Sequence, residues 1–321
     1  MRARLVGSSV AGLGGLVLAV AVLAPGSPAP PGEVPLDESY RTVAVGSDVS
    51  FLDPGSLAQR TGAEVAVTTR VRGDAQADGA DDDTAVRSYA TTTEAADGTL
   101  IGTSTTTACL DRRTAEATDC PLEAVDGGRT DVRGLVSDFP PGAAGQDRMM
   151  WDGTAQASFP LRFAGRERFR GLDVQRYEHV VPEQVLRSVT VPGVLVGSPR
   201  PTAPADVVYR DTRTLLVEPV SGVVVRTEEN PLTVLRAADG TTGAVLLGGE
   251  LASSEETVTA AVARAREVLD RRDPSGGGLR ALAATAGAVL LGAGGFLVAR
   301  GRREPAEPAE QAPVRPPVPV G

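Results

Sequence analysis

The side chains able to do chemistry are few in this chain, and most of the usual combinations are missing. His179 is the one histidine among 321 residues, and there is no lysine. A Ser-His-Asp arrangement needs a nucleophile beside the imidazole, and no Gly-x-Ser-x-Gly elbow supplies one. Without lysine, Schiff-base chemistry and a phosphate-loop lysine are both unavailable. His179 falls on the second strand of a predicted hairpin and reads as a solvated or satisfied strand residue, so no catalytic residue is assigned and the chain is read as a non-enzyme. Asp74, Asp78, Asp81, Asp82 and Asp83 gather hard oxygen ligands between two predicted strands. Their spacing is not that of an EF-hand and no bidentate Glu follows, so a solvated loop is expected, with no metal and no cofactor. Cys109 and Cys120 are an even pair without further metal ligands or a Cys-x-x-Cys spacing, which makes a disulfide the expectation in an oxidising compartment. If Arg112 and Arg113 centre a tight turn, Cys109 faces Glu116, and the chain beyond Ala117 must bend back for the sulfurs to meet.

The elements that must carry these residues are mainly strands. Short Val- and Thr-rich runs, separated by Gly, Asp and Pro, predict an antiparallel β architecture. Strands are expected at Glu64–Arg72, Ala85–Thr93 and Thr99–Leu110. Two hairpins are expected: Phe159–Phe169 with Leu172–Val181, turning at Arg170 and Gly171, and Val207–Glu218 with Gly222–Glu229, turning through Pro219, Val220 and Ser221. Near the end of the domain, Ser253 and Glu256 suggest a capping box, followed by Val258, Ala261, Val262, Ala265, Val268 and Leu269 at helical spacing. Asp273, Pro274 and Gly276–Gly278 would end that helix, whose stripe is expected to lie on the sheet.

Two uncharged apolar runs, Leu5–Ala24 and Ala281–Ala299, are close to the ~20 residues that cross the ~30 Å hydrocarbon core of a bilayer as a helix. Arg2 and Arg4 precede the first, and Arg300, Arg302 and Arg303 follow the second, which predicts a plasma-membrane protein with both termini cytoplasmic and the domain between them outside. A cleaved signal peptide is the rival reading of the first run. The expected organisation is a cytoplasmic N-terminus at 1–4, a transmembrane helix at 5–24, an extracytoplasmic β-rich domain at 25–278, a second transmembrane helix at 279–299 and a disordered Pro-rich tail at 300–321. Net charge is -9 overall. Seven Arg and three Glu lie outside the 25–278 domain, so the domain carries -13, which argues against nucleic acid as a partner. The expected fold class is mainly β: a curved antiparallel sheet or β-sandwich with one C-terminal amphipathic helix, flanked by two transmembrane helices.

Several short motifs, in order, resemble the actinobacterial "porin PorA" family. They are Asp111-Arg112-Arg113-Thr114-Ala115-Glu116, Phe139-Pro140, Trp151-Asp152, the hairpin from Arg162 through Gly171-Leu172 to Arg176-Tyr177, Val191-Pro192-Gly193, Thr214-Leu215-Leu216-Val217-Glu218-Pro219 and Ser221-Gly222. The resemblance covers both apolar runs and nearly the whole domain. It implies a two-span envelope protein with a role in building the mycolate or lipoglycan layer, and it brings no catalytic residues.

A non-enzymatic mechanism joins the two lines. A curved sheet with an apolar concave face can hold an acyl chain, since apolar burial needs no charged partner. The lining would come from Trp151, Phe159, Leu161, Phe163, Val191, Leu195, Leu215 and Val217, with Trp151 at the mouth and its N–H in water. A packed core is the plainer reading of the same residues. The leading expectation is an accessory that binds or transfers a membrane lipid or glycolipid. A scaffold for other envelope membrane proteins is the alternative, and a pore-forming protein is the second alternative. The pore is set back by an aromatic content of 3%, against the aromatic girdles of an outer-membrane barrel, and by the two helical spans expected to flank the strands, which a barrel would not carry.

Overall fold

The computed structural model describes residues 32–272. They form sixteen strands, one α-helix and a short 3-10 turn at Gly193–Val196. The strands are β1 (Ser39–Leu52), β2 (Gln59–Gly73), β3 (Thr84–Ala95), β4 (Leu100–Asp111), β5 (Glu116–Thr118), β6 (Ala124–Val125), β7 (Gly128–Arg129), β8 (Gly134–Leu135), β9 (Arg148–Asp152), β10 (Ala157–Phe169), β11 (Leu172–Pro192), β12 (Thr202–Val217), β13 (Val224–Glu229), β14 (Leu232–Ala237), β15 (Thr242–Gly248) and β16 (Leu251–Ser253). The helix is α1 (Glu255–Arg272). β-Branched residues favour the long strands, and facing threonines tie them sideways, as Thr69 and Thr91 do at 3.0 Å between hydroxyls. The β10–β11 turn falls at Arg170-Gly171, where both residues have positive φ (52° and 80°), as a two-residue hairpin loop requires.

Pairing runs β1-β2-β3-β4-β5-β8-β9-β10-β11-β12-β14-β15 and returns to β1. The sheet is therefore a closed barrel of twelve strands. β11 and β12 pair from Gln175–Val217 to Pro192–Thr202. Their connection is held by Gly193, where a Cβ would overlap the carbonyl oxygen of Arg200. β12 then serves two partners on its other edge, β14 along Ala205–Arg210 and β13 along Arg213–Val217. β1 forks in the same way, pairing β15 at Ser50–Phe51 and β16 at Ala44–Val45. The thinnest arc lies between β4 and β9, where β5 and β8 are two or three residues long and β8 meets β9 through a single parallel bridge, Leu135 with Met150.

This architecture corrects the expected fold class. An open curved sheet or a sandwich leaves free edges, whereas here the non-local pairings of β1 and β12 close the ring. Among the described residues no helix is long and apolar enough to cross a membrane, and the expected spans Leu5–Ala24 and Ala281–Ala299 lie outside the described residues. A two-span plasma-membrane arrangement with both termini cytoplasmic is therefore withdrawn in favour of a barrel.

The main apolar cluster draws on side chains from both strands and loops. Ala85, Leu110, Leu135, Phe139, Met150, Trp151, Leu161, Tyr177, Leu215 and Val217 pack as one cluster, with Phe163 at its border. α1 covers the opposite face of β11 and β12, setting Val258, Ala261, Val262 and Ala265 against Leu172, Val174, Leu216 and Val225. Its N-cap is Ser254, whose hydroxyl accepts the Thr257 N–H, one residue later than the expected Ser253. Ser253 instead ends β16 and accepts the N–H of Thr227. Thr257 also fastens the helix to β1 by accepting the Val43 N–H at 2.8 Å. The wholly buried guanidinium of Arg87 meets Asp138 at 3.0 Å and Glu38 at 3.2 Å, while Tyr89 and Tyr40 both donate to Asp138. Arg264 of α1 stacks 4.1 Å above the Tyr40 ring, so one polar knot joins helix, β1, β3 and the loop before β9.

Cys109 and Cys120 form a disulfide. Cys109 sits opposite Thr118 and not Glu116, because the turn takes four residues. Asp111 accepts the N–H groups of Arg113 and Thr114, and Ala115 adopts φ 58°. Cutting this cross-link with Cys120→Ser is expected to lower stability by about 3 kcal/mol, measured as a reduced midpoint in urea under oxidising conditions. No difference between the two proteins would show that the bond constrains nothing in the unfolded chain.

Candidate functional site: a buried ionic layer

Between two apolar clusters inside the barrel lies a layer of ionisable side chains. The inward row of β12 reads Val207, Tyr209, Asp211, Arg213, Leu215 and Val217, since alternate residues share a face. Register then places His179 of β11 and Glu229 of β13 on either side of Arg213. Asp152, the last residue of β9, completes the group.

Asp152 is held from two sides. Its Oδ1 accepts the backbone N–H groups of Thr154 and Ala155, and its Oδ2 accepts the Tyr209 hydroxyl at 3.0 Å. Arg213 donates through Nη2 to Asp211 at 3.0 Å and through Nε to Glu229 at 3.0 Å, with Asp152 at 3.7 Å. Asp152, Tyr209, Asp211 and His179 are all buried. Three carboxylates thus share one guanidinium in a largely buried layer, with Arg213 and Glu229 partly exposed, and an uncompensated charge there is costly.

The titration behaviour follows. Burial pushes the Asp211 carboxyl up to about 6, against the pull of Arg213 and with the help of Glu229 and Asp152. Burial, reinforced by Arg213, pulls His179 down to about 4, opposed by Asp152 and the Met150 backbone. Burial also raises Tyr209. It works against the charge on Arg213 as well, yet Glu229, Asp211 and Asp152 outweigh that and keep the guanidinium protonated. Neither nitrogen of His179 makes a hydrogen bond of good geometry, and Oδ1 of Asp211 has no partner among the described residues. The expectation of a solvated strand histidine is corrected: the imidazole is fully buried. Its nearest ring is Phe159, edge-on at 6.3 Å.

The residues expected to line a lipid site separate. Trp151, Leu161, Phe163, Leu215 and Val217 meet in the main cluster, packed against Tyr177 and Phe139. Phe159 stands beside His179, and Leu195 and Val191 pack at another place with Val196, Ala203, Ala205 and Val207. Trp151 is buried and its indole N–H has no partner among the described residues. A small cleft of about 210 Å³ at the surface is lined by Glu167, Phe169, Arg176, Thr214, Leu216, Arg226 and Glu228, mostly charged. Asp152, Tyr209, Asp211, Arg213 and Glu229 were not singled out from the sequence as a site. The period-two row on β12 was the available signal.

Two groups in this layer pull stability in opposite directions with pH. Asp211 has a folded value above its ordinary 3.8, so its contribution is greatest below that pH and is lost as pH rises towards about 6. His179 has a folded value below 6.5, so its contribution is present above 6.5 and is lost as pH falls towards about 4. Each effect is on the order of 3 kcal/mol, and between pH 4 and 6 they offset one another. His179→Gln removes one of them. Relative to the wild type, its stability in denaturant melts is expected to improve by about 2 kcal/mol on going from pH 7.5 to pH 5. Parallel stability curves for the two proteins would show that the imidazole titrates normally in the fold.

Comparison with known proteins adds the relationship. No curated protein matches the chain. Among solved structures, an exported protein with a YmcC-like fold from Bacteroides fragilis is similar over 68% of this chain and 100% of its own, at 10% identity and a TM-score of 0.24. So distant a likeness carries no argument about fold or function. The sequence pattern of the family described as porin PorA matches residues 6–296, most of the chain, and the protein belongs to that family.

Proposed function

We propose that the protein is a non-enzymatic, pore-forming component of a cell envelope. Closure of the barrel is the observation that carries this reading. A ring of twelve strands encloses an interior crossed by a polar layer, which an open sheet or a sandwich would not provide. Membership of the porin PorA family supports it. Two features limit the form the pore takes. The interior is packed by side chains on both sides of the ionic layer, so the conformation described is closed. The outward rows carry exposed Arg162, Glu178 and Arg210, where a wall lying bare in lipid needs an apolar band. In this reading the channel is the barrel itself, with the charged part of its wall held away from bare lipid.

The lipid- or glycolipid-binding reading has less support, because its lining residues divide among packed places and do not surround one chamber. Full-length protein added to planar bilayers is expected to give discrete conductance steps. A silent record from protein with native circular dichroism overturns the proposal. Lipid retained one-to-one in native mass spectrometry of that silent protein would favour the lipid accessory instead.

A further inference from the structure

Away from the ionic layer, beside the disulfide, three carboxylates converge. Asp119, Glu123 and Asp131 each place an oxygen within 4.8 Å of the others. Asp119 and Asp131 are exposed, whereas Glu123 is 95% buried, its relative exposure being 5%. Arg133 contacts Oδ1 of both aspartates at 2.6 Å. Oε1 of Glu123 is buried and has no hydrogen-bond partner among the described residues. A buried carboxylate oxygen left unpaired costs free energy unless something outside the chain satisfies it. Three carboxylates against one guanidinium also leave a local charge of two negative units.

We infer that Asp119, Glu123 and Asp131 bind a calcium ion, with Glu123 as the buried ligand and the two aspartates closing the site from the solvent side. The donor set is all hard oxygen, which suits calcium and not a thiolate- or imidazole-seeking metal. Calcium–oxygen distances of roughly 2.3–2.6 Å place two ligands of one ion at most about 5 Å apart, so one ion can touch all three groups. The three ligands come from the loop after β5 and from the segment between β7 and β8, so the ion joins two pieces of the thinnest arc of the barrel. Oxidising compartments that preserve disulfides also tend to hold calcium at levels matching the roughly 0.1–1 mM affinity of extracellular calcium modules.

The test uses the full chain, stripped with chelator and titrated with calcium chloride by calorimetry and by thermal melting, with sodium chloride at matched ionic strength as the control. One saturable calcium per chain is expected, together with a rise in melting temperature that sodium chloride does not reproduce. Glu123→Gln is expected to weaken binding at least tenfold, and so is Asp131→Asn, an exposed substitution that keeps the measurement possible if the buried change prevents folding. Asp83→Asn, in the exposed loop after β2, is expected to bind as the wild type does. Non-saturable binding, a melting shift no larger than that from sodium chloride, or unchanged affinity in Asp131→Asn would overturn the inference.

Discussion

The pairing of β11 with β12 is the constraint from which the rest of the architecture follows. It runs from Gln175 to Pro192 on one strand and back from Thr202 to Val217 on the other. β12 is long enough to take two different partners on its far edge, so the sheet forks there, and β1 meets both branches. Shortening either strand would remove one branch and leave an edge exposed. The same register sets which side chains face inward together. Tyr177 with Leu215 and His179 with Arg213 are cross-strand neighbours before they are members of a core or an ionic layer.

The barrel places charge in its interior twice, and the two groups differ in character. Around Arg87 the arrangement is well matched: Asp138 and Glu38 serve the guanidinium, and two tyrosine hydroxyls serve Asp138. Around Arg213 three carboxylates compete for one cation, and the buried imidazole of His179 stands alongside. The first group ties the helix and the N-terminal segment to the wall. The second is over-supplied with negative charge, but burial is what chiefly shifts the proton affinities of Asp211 and His179, against the pull of Arg213 for the carboxyl and with its help for the imidazole. Buried ion pairs are weak evidence for stability in themselves. Their value here lies in fixing which strands stand next to one another.

Local signals were legible in the sequence, and long-range ones were not. The Arg170-Gly171 turn was readable because a two-residue loop with positive φ selects glycine. The α1 stripe was readable because its period is 3.6. Closure was hidden, since nothing in Ser50-Phe51 names Gly248 and Leu247 as partners, and the pairing reflects chain path and not composition. The ionic layer was half visible. Tyr209, Asp211 and Arg213 stand at every second position, but the opposite row of β12 mixes Val208, Arg210, Thr212, Thr214 and Leu216, so alternation alone does not say which face is inside. The convergence of Asp119, Glu123 and Asp131 was hidden for a different reason. Their spacings of four and eight follow no helix or strand, and only the loops between β5 and β8 bring them together.

The β4-to-β9 arc gives the barrel a seam. A closed ring of hydrogen bonds unzips first where the fewest must break, and along this arc the wall is two or three residues deep, with one parallel bridge between β8 and β9. The Cys109–Cys120 bond and the Asp119, Glu123 and Asp131 carboxylates all lie on this stretch. A break here would turn the cylinder into an open strip with two fresh edges, each a template for a strand from another molecule. The disulfide on this arc therefore guards the molecule's solitude as much as its fold.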